Sequence, residues 1–385
     1  MRCPRLTVLV TDANYKHALG LIRSLGRRRV KVCCVSHYRL APGFFSRCTR
    51  RSKRVPSPDN SPAGYRAALR ALIGTWRVDL LIPVGYSSVA AVASDPDLHA
   101  KTVAPDEGLF ERASDKWAMV EVARAAGLSV PQTALIGKVE DVHHFLDQRM
   151  LGGDPRIVVK ARREGYGKGA SYVASAAECE QVMQPYASAG STEPTVIAQE
   201  YVEGNGAGYF ALAWRGRVVR EFMHRRRREW PPEGGFATAA ESIYDEHLAR
   251  DGRALIAALG WHGPAMVEFR VNARGRYFIE FNPKFWGSLD LALACGADFP
   301  GDLCRLTAGE DLTGRACPPY DVGRRIWWPW RGDLRRLRHR PHDWRAVLAD
   351  CCNPRVRSNW RWTDPLPNLI EIGAELTRPW RRTAQ

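Results

Sequence analysis

The sequence predicts a parallel α/β domain, then an α+β region built on antiparallel hairpins, then a C-terminal stretch without regular periodicity. Three observations carry this expectation. Short apolar runs alternate with helical repeats over the first hundred residues; two pairs of strand-like runs meet at Arg215-Gly216 and around Ala273-Arg274-Gly275; and beyond about residue 310, Pro, Trp and Arg interrupt every period. At about 150 residues per domain, 385 residues allow two to three domains with a sizeable core.

Taken in order, Leu6 to Val10 is a short apolar run, and Tyr15, Ala18, Leu19, Ile22 and Leu25 then recur at helical spacing. Val30 to Val35 is a second strand, which completes a βαβ unit. Ser61-Pro62 opens a helix with Tyr65, Ala68, Leu69, Leu72, Ile73 and Trp76 on one face, followed by a buried strand over Asp79 to Val84. Residues 1–105 therefore read as one parallel domain. No GxGxxG follows the first strand, which argues against a dinucleotide fingerprint.

A second unit, residues 106–310, opens with Ser114 as the expected N-cap of a helix carrying Trp117, Val120, Ala123 and Ala126, ending at Gly127 with Pro131 beyond. Its first part, to about 195, holds a strand over Arg156 to Ala161 and a glycine-rich loop. The second part, 196–310, follows a strand over Thr195 to Tyr201 and holds the hairpins Tyr209–Trp214 with Arg217–Met223 and Ala265–Val271 with Arg276–Asn282. Residues 311–385 are left as an extension.

Apolar content of 45% and charged content of 25% are ordinary, whereas the balance of 57 basic against 41 acidic residues, +16, is not. Such an excess suits a polyanionic partner or merely an arginine-rich solvated surface. The N-terminal apolar run is too short for a signal peptide, and no run approaches the ~18 apolar residues of a membrane span. The ten cysteines show no CxxC or Cys/His spacing, so no structural zinc is expected, and a reducing cytoplasm is the expected location.

The second hairpin is the most informative for chemistry. With a three-residue loop Ala273-Arg274-Gly275, Asn272 pairs with Arg276, so Glu268 falls opposite Glu280 and Met266 opposite Asn282. Glu268, Glu280 and Asn282 then share a face, with the two carboxylates about 5 Å apart at Cβ. Bare carboxylates there repel; a hard divalent cation such as Mg²⁺ or Mn²⁺ between them relieves this, although a solvated hairpin face stays open as an alternative. Lys160 ends an apolar strand, and Gly165-Tyr166-Gly167-Lys168-Gly169 follows, a loop whose backbone N–H groups and lysine suit phosphate oxygens without matching the Walker pattern.

These motifs, in order, resemble those of the ATP-grasp enzymes, in particular ATP-dependent carboxylate–amine ligases that begin with a Rossmann-like pre-ATP-grasp domain. The resemblance covers residues 6 to 300. It rests on Ser114-Asp115-Lys116, Val158-Val159-Lys160, the Gly165 to Gly169 loop, Gln199 to Gly204, His224 to Pro231, Val267-Glu268-Phe269 and Glu280 to Ser288. It implies that Lys116, Lys160, Gly165, Gly167, Lys168 and Gly169 meet the ATP phosphates and that Glu200, Tyr201 and Val202 read the adenine edge. It also implies that Glu268, Glu280 and Asn282 ligate Mg²⁺ (or Mn²⁺), and that Arg226, Arg228 and Lys284 neutralise the transferred phosphoryl group. The implied reaction is activation of a small-molecule carboxylate as an acyl phosphate and its capture by an amine, with ADP released, in a homodimer.

The chain departs from the family pattern at Lys284, where relatives carry Arg, at Met266, and in lacking an acidic ribose contact near Ala207-Gly208-Tyr209. A carboxylase or thiol ligase of the same fold is the nearest alternative. A basic membrane- or nucleic-acid-associated protein with a degenerate ATP site is the alternative from another class, suggested by Arg324 to Arg331 and Arg335 to Arg338. The prolines prevent a long amphipathic helix there, so the extension is expected to wrap the core, with no nucleic acid as partner and with peripheral membrane contact by the extension weighed but not expected.

Overall fold

The computed structural model describes residues 6–151, 156–163, 170–187, 194–231 and 234–376. By internal contacts the described chain groups into two units that alternate along the sequence: 6–110, 207–266 and 283–376 form the first, 111–206 and 267–282 the second. The linear boundaries near 105, 195 and 310 describe chain segments and stay a proposal.

In the first unit, β1 (Thr7–Val10), β2 (Lys31–Ser36), β3 (Thr49–Arg54) and β4 (Leu80–Ile82) form a parallel sheet in the order β3-β2-β1-β4. The helix Lys16–Arg27 buries Ala18, Leu19, Ile22 and Leu25, as its spacing predicts, and Pro62–Trp76 buries Tyr65, Leu69 and Leu72. Strand β3, which no apolar run announces, reads Thr-Arg-Arg-Ser-Lys-Arg and lies at the sheet edge with its charged side chains exposed. Charge there blocks pairing with another chain, which is why the strand carries no hydrophobic signal.

The second unit holds an antiparallel sheet of β5 (Thr133–Ile136), β6 (Ile157–Ala161), β7 (Ser171–Val173) and β8 (Val196–Glu200), ordered β5-β8-β6-β7, over a core that includes Ile157, Val159, Val196 and Ala198. Asp115, not Ser114, caps the helix Lys116–Ala125: its Oδ1 accepts from Trp117 N–H at 3.0 Å and Ala118 N–H at 3.2 Å, while Ser114 ends the preceding helix Glu107–Ser114. A carboxylate at this position also satisfies the positive end of the helix dipole.

The remaining strands are β9 (Asn205–Trp214), β10 (Arg217–Trp230), β11 (Phe236–Ser242), β12 (Gly263–Asn272), β13 (Gly275–Asn282), β14 (Arg325–Trp327) and β15 (Val356–Ser358). In the first unit the order runs β9-β10-β11-β14-β15, so the extension adds two strands beside β11. Arg215 and Gly216, at φ 49° and 81°, make the left-handed two-residue turn that matches the twist of β9 and β10. In the second unit β12 pairs with β13, and the turn is Ala273-Arg274 alone, closed by Asn272 Oδ1 accepting from Arg274 and Gly275 N–H; Gly275 already belongs to β13. The strand bounds leave Ala273-Arg274 as the turn where a three-residue loop was expected, with Gly275, at φ 151°, opening β13.

Residues 311–376 group with the first unit. Ile326 and Trp328 join a core containing Phe210, Phe222 and Trp286. Arg23 Nε meets Asp364 at 2.8 Å, and its Nη2 donates to Asp364 O and, at 3.0 Å, to Asn368 Oδ1. No described helix is long and apolar enough to cross a membrane, and the nine described cysteines are free thiols.

Candidate functional site

In the second unit, Lys160 lies on β6 with 7% of its surface exposed, and its Nζ donates to Gln199 Oε1 on β8 at 2.8 Å. Gln199 in turn donates to Thr133 Oγ1 on β5, so three strands hold the ammonium in place. Burial lowers the Lys160 pKa to about 8; Glu280 and Glu268 oppose this, while Lys116 and Arg270 add to it. The structure therefore brings Lys116, Lys160, Glu268 and Glu280 into one electrostatic neighbourhood. Asn282 joins them, its Nδ2 donating to Glu268 Oε1 at 3.3 Å, as the shared face of the hairpin predicts.

Lys116 is placed by its backbone. Its N–H donates to Arg162 O at 3.0 Å, just past the end of β6, while the Arg162 guanidinium grips Asp115, the residue before. Burial works against the Asp115 charge, but Arg162, the Ala118 N–H and Arg163 hold its carboxyl below the usual range. Sequence reasoning missed this clamp, although Asp115 stands in the Ser-Asp-Lys motif.

The loop residues Gly165, Gly167, Lys168 and Gly169 lie outside the described residues. Glu200, expected at the adenine edge, has its carboxylate engaged by Arg149 at 2.8 Å and by Gln132 N–H at 3.1 Å. Tyr201 donates its N–H to Arg156 O, and the Arg156 guanidinium lies 4.3 Å from its ring centre; Val202 follows, half-buried.

The first unit carries a second cluster. His224 on β10 bonds through Nε2 to Ser288 Oγ at 2.7 Å and stacks near Phe210, with ring centres 4.6 Å apart. Burial, followed by Arg226 and Lys16, lowers its pKa to about 3; burial, then Lys16 and Lys284, does the same to His17. Both rings are neutral at pH 7. Lys16 Nζ lies 4.3 Å from the Trp328 ring centre, and a side chain at Gly287 would press on Lys16 Cε. The Nδ1 atoms of His17 and His224 and the indole Nε1 of Trp286 and Trp328 are buried with no hydrogen-bond partner. Arg226 is paired with Glu229 at 3.7 Å, and Lys16 and Lys284 complete the set of charges that act on the two rings.

Of the three residues expected to neutralise phosphoryl charge, Arg226 and Lys284 belong to this cluster, through their fields on His224 and His17. Arg226 also donates to Gly235 O at 2.7 Å. Arg228 does not belong. Its guanidinium is forked onto Asp333, with Nη2 at 2.6 Å, and pairs with Asp350, both in the extension. Despite burial, these carboxylates raise its pKa. Alternation along β10 keeps residues 226 and 228 on one covered face, and it is the carboxylates of Asp333 and Asp350 that set Arg228 apart, which periodicity alone cannot show. Lys16, His17 and Trp328 are members that the sequence reading missed; the only signal was the lysine-histidine pair just after the first strand.

No known family profile matches the chain. Among solved structures, it superposes on the biotin carboxylase domain of Hydrogenobacter thermophilus 2-oxoglutarate carboxylase, solved with MgADP and bicarbonate (TM-score 0.63, 18% identity, 84% of this chain and 74% of that one). It also superposes on the L-amino acid ligase of Bacillus licheniformis (0.60, 14%, 80% and 75%) and on the N5-carboxyaminoimidazole synthetase of Staphylococcus aureus with ADP (0.60, 13%, 84% and 82%). The chain has the ATP-grasp fold. A D-alanine–D-alanine ligase of Laribacter hongkongensis is 29% identical over 182 residues, 44% of this chain; the match spans only 55% of that relative's length. The ATP-grasp resemblance drawn from the motifs is thus borne out at the level of fold.

Proposed function

We propose that the protein is an ATP- and Mg²⁺-dependent ligase that activates a carboxylate as an acyl phosphate and joins it to an amine. The supporting observation is the grouping of Lys116, Lys160, Glu268, Glu280 and Asn282 in one unit. Among the described residues no three His, Cys, Asp or Glu side chains form a closed metal site. Two carboxylates and an amide oxygen instead fit a hard cation that completes its shell with phosphate oxygens and water. Mg²⁺ (or Mn²⁺) held there supplies charge neutralisation on the nucleotide phosphates. Lys116 and Lys160 bind the α- and β-phosphates, and the backbone of Tyr201 and Val202 reads adenine.

The carboxylate substrate enters the reaction as the nucleophile toward ATP. Its oxygen attacks the γ-phosphorus as the bond to ADP breaks; the amine then attacks the acyl carbon and phosphate leaves. Arg226 and Lys284 counter the charge that grows on the phosphoryl oxygens. The names of the D-alanine–D-alanine ligase and the L-amino acid ligase support amino acids as both partners. A homodimer in a reducing cytoplasm completes the proposal. ADP release is expected only with an amino acid pair, with the dipeptide visible by mass spectrometry. Release driven by bicarbonate without an amine would make the protein a carboxylase, and AMP in place of ADP would overturn the acyl phosphate.

The Lys160 pKa adds a pH signature. The phosphates bind the ammonium form, so nucleotide affinity should hold below about pH 8 and fall above it, by up to about tenfold per pH unit. Calorimetric titration of ADP from pH 6.5 to 9.5 checks this, and Lys160→Arg, which stays charged, should flatten the profile.

A further inference from the structure

The last described helix, Leu366–Leu376, is turned inside out. Asn368, Glu371 and Glu375 are each at most 3% exposed, whereas Leu366, Leu369 and Leu376 are 47%, 50% and 66% exposed. The two sets follow helical spacing on opposite sides, so this is an amphipathic helix with its apolar stripe facing out. Just before it, Trp362 is 84% exposed, and on the helix Trp344–Cys352 the i, i+4 pair Trp344 and Leu348 is half exposed. Of the twelve large apolar side chains exposed among the described residues, these six fall between 344 and 376.

The charges are sorted the same way. Between 334 and 376 the carboxylates are Asp343, Asp350, Asp364, Glu371 and Glu375, and none is exposed. Asp343 is paired with Arg336, Asp350 with Arg228, Asp364 with Arg23 and Glu375 with Arg335, while Glu371 accepts from Asn359 and Asn368. Arg338, Arg345, Arg355 and Arg357 are exposed. Between 334 and 376 the exposed side chains thus include leucine, tryptophan and arginine and no acid, whereas Asp311 and Asp321, earlier in the extension, are exposed.

We propose that the exposed face of the helix Leu366–Leu376 is a peripheral docking surface for an anionic lipid bilayer, with the leucine stripe entering the headgroup region and exposed arginines of this segment meeting lipid phosphates. Two rival occupants fit less well. Single-stranded nucleic acid stacks on aromatic rings and has no use for an aliphatic stripe. A second copy across a two-fold axis would set the same arginines against each other.

The test is co-sedimentation of the full chain with vesicles of phosphatidylcholine alone or containing phosphatidylglycerol at about 30%. Binding to the anionic vesicles should be at least about tenfold tighter, weaken with salt and not vanish at ~0.15 M, where screening leaves apolar insertion intact. Leu369→Asp with Leu376→Asp should abolish binding without lowering the thermal midpoint, since both side chains are exposed. Failure to bind anionic vesicles, or equal binding by the double variant, overturns the proposal. So does a dimer by analytical ultracentrifugation that the same double variant dissociates, or tighter binding to a single-stranded RNA probe than to vesicles.

Discussion

Glu280→Gln is expected to lower carboxylate-dependent ADP release by about 10³-fold, because it removes one of two carboxylates proposed to hold the cation, a contribution of several kcal/mol in the transition state. Its fold should survive: the substitution relieves repulsion with Glu268 and keeps the side-chain shape. A second readout separates this role from a structural one. Glu280 is the largest influence favouring the Lys160 ammonium, so its neutralisation should move the pH break in ADP affinity below about 8. Turnover within tenfold of the parent, or an unmoved break, would remove Glu280 from the metal site.

Arg228→Ala is expected to destabilise the first unit by about 3–5 kcal/mol, the usual consequence of stranding a buried carboxylate whose partner is gone. Asp333 is 1% exposed and Arg228 10%, so water cannot stand in for the lost fork. Asp333→Asn in the Arg228→Ala background should change stability much less than in the parent, a non-additivity that double-mutant denaturation curves would read. If Arg228 instead served the phosphoryl group, the alanine variant would keep its melting point and lose turnover.

The contrast between Arg226 and Arg228 shows where sequence reasoning reaches its limit. Motif order led to both arginines, but acids from residues 333 and 350 decide what Arg228 touches. Local patterns served well where one face was apolar. The parallel strands β1, β2 and β4, the helix Lys16–Arg27 and the hairpin that puts Glu268 and Asn282 on one face were all legible. The polar edge strand β3 and the extension were not. Pro341 and Pro367 read as breakers, yet they stand in the first turns of helical segments, where a missing N–H does no harm. The helix Leu366–Leu376 buries its acids against arginines, which reverses the usual meaning of its apolar stripe. Lys16 and His17 were invisible as site residues because their neighbours Arg226, Lys284 and Trp328 lie over 200 residues away in the chain.

The buried pair of Arg23 and Asp364 joins residues 341 positions apart. At a synthesis rate of about 5–20 residues per second, the arginine waits roughly 20–70 s on the ribosome before its carboxylate is made. Until then the Arg23 guanidinium lacks the carboxylate and the amide that hold it in the folded chain. Translation speed, and whatever shields the nascent first unit during that interval, should therefore govern the yield of folded protein more than it does for a chain whose units close in sequence order.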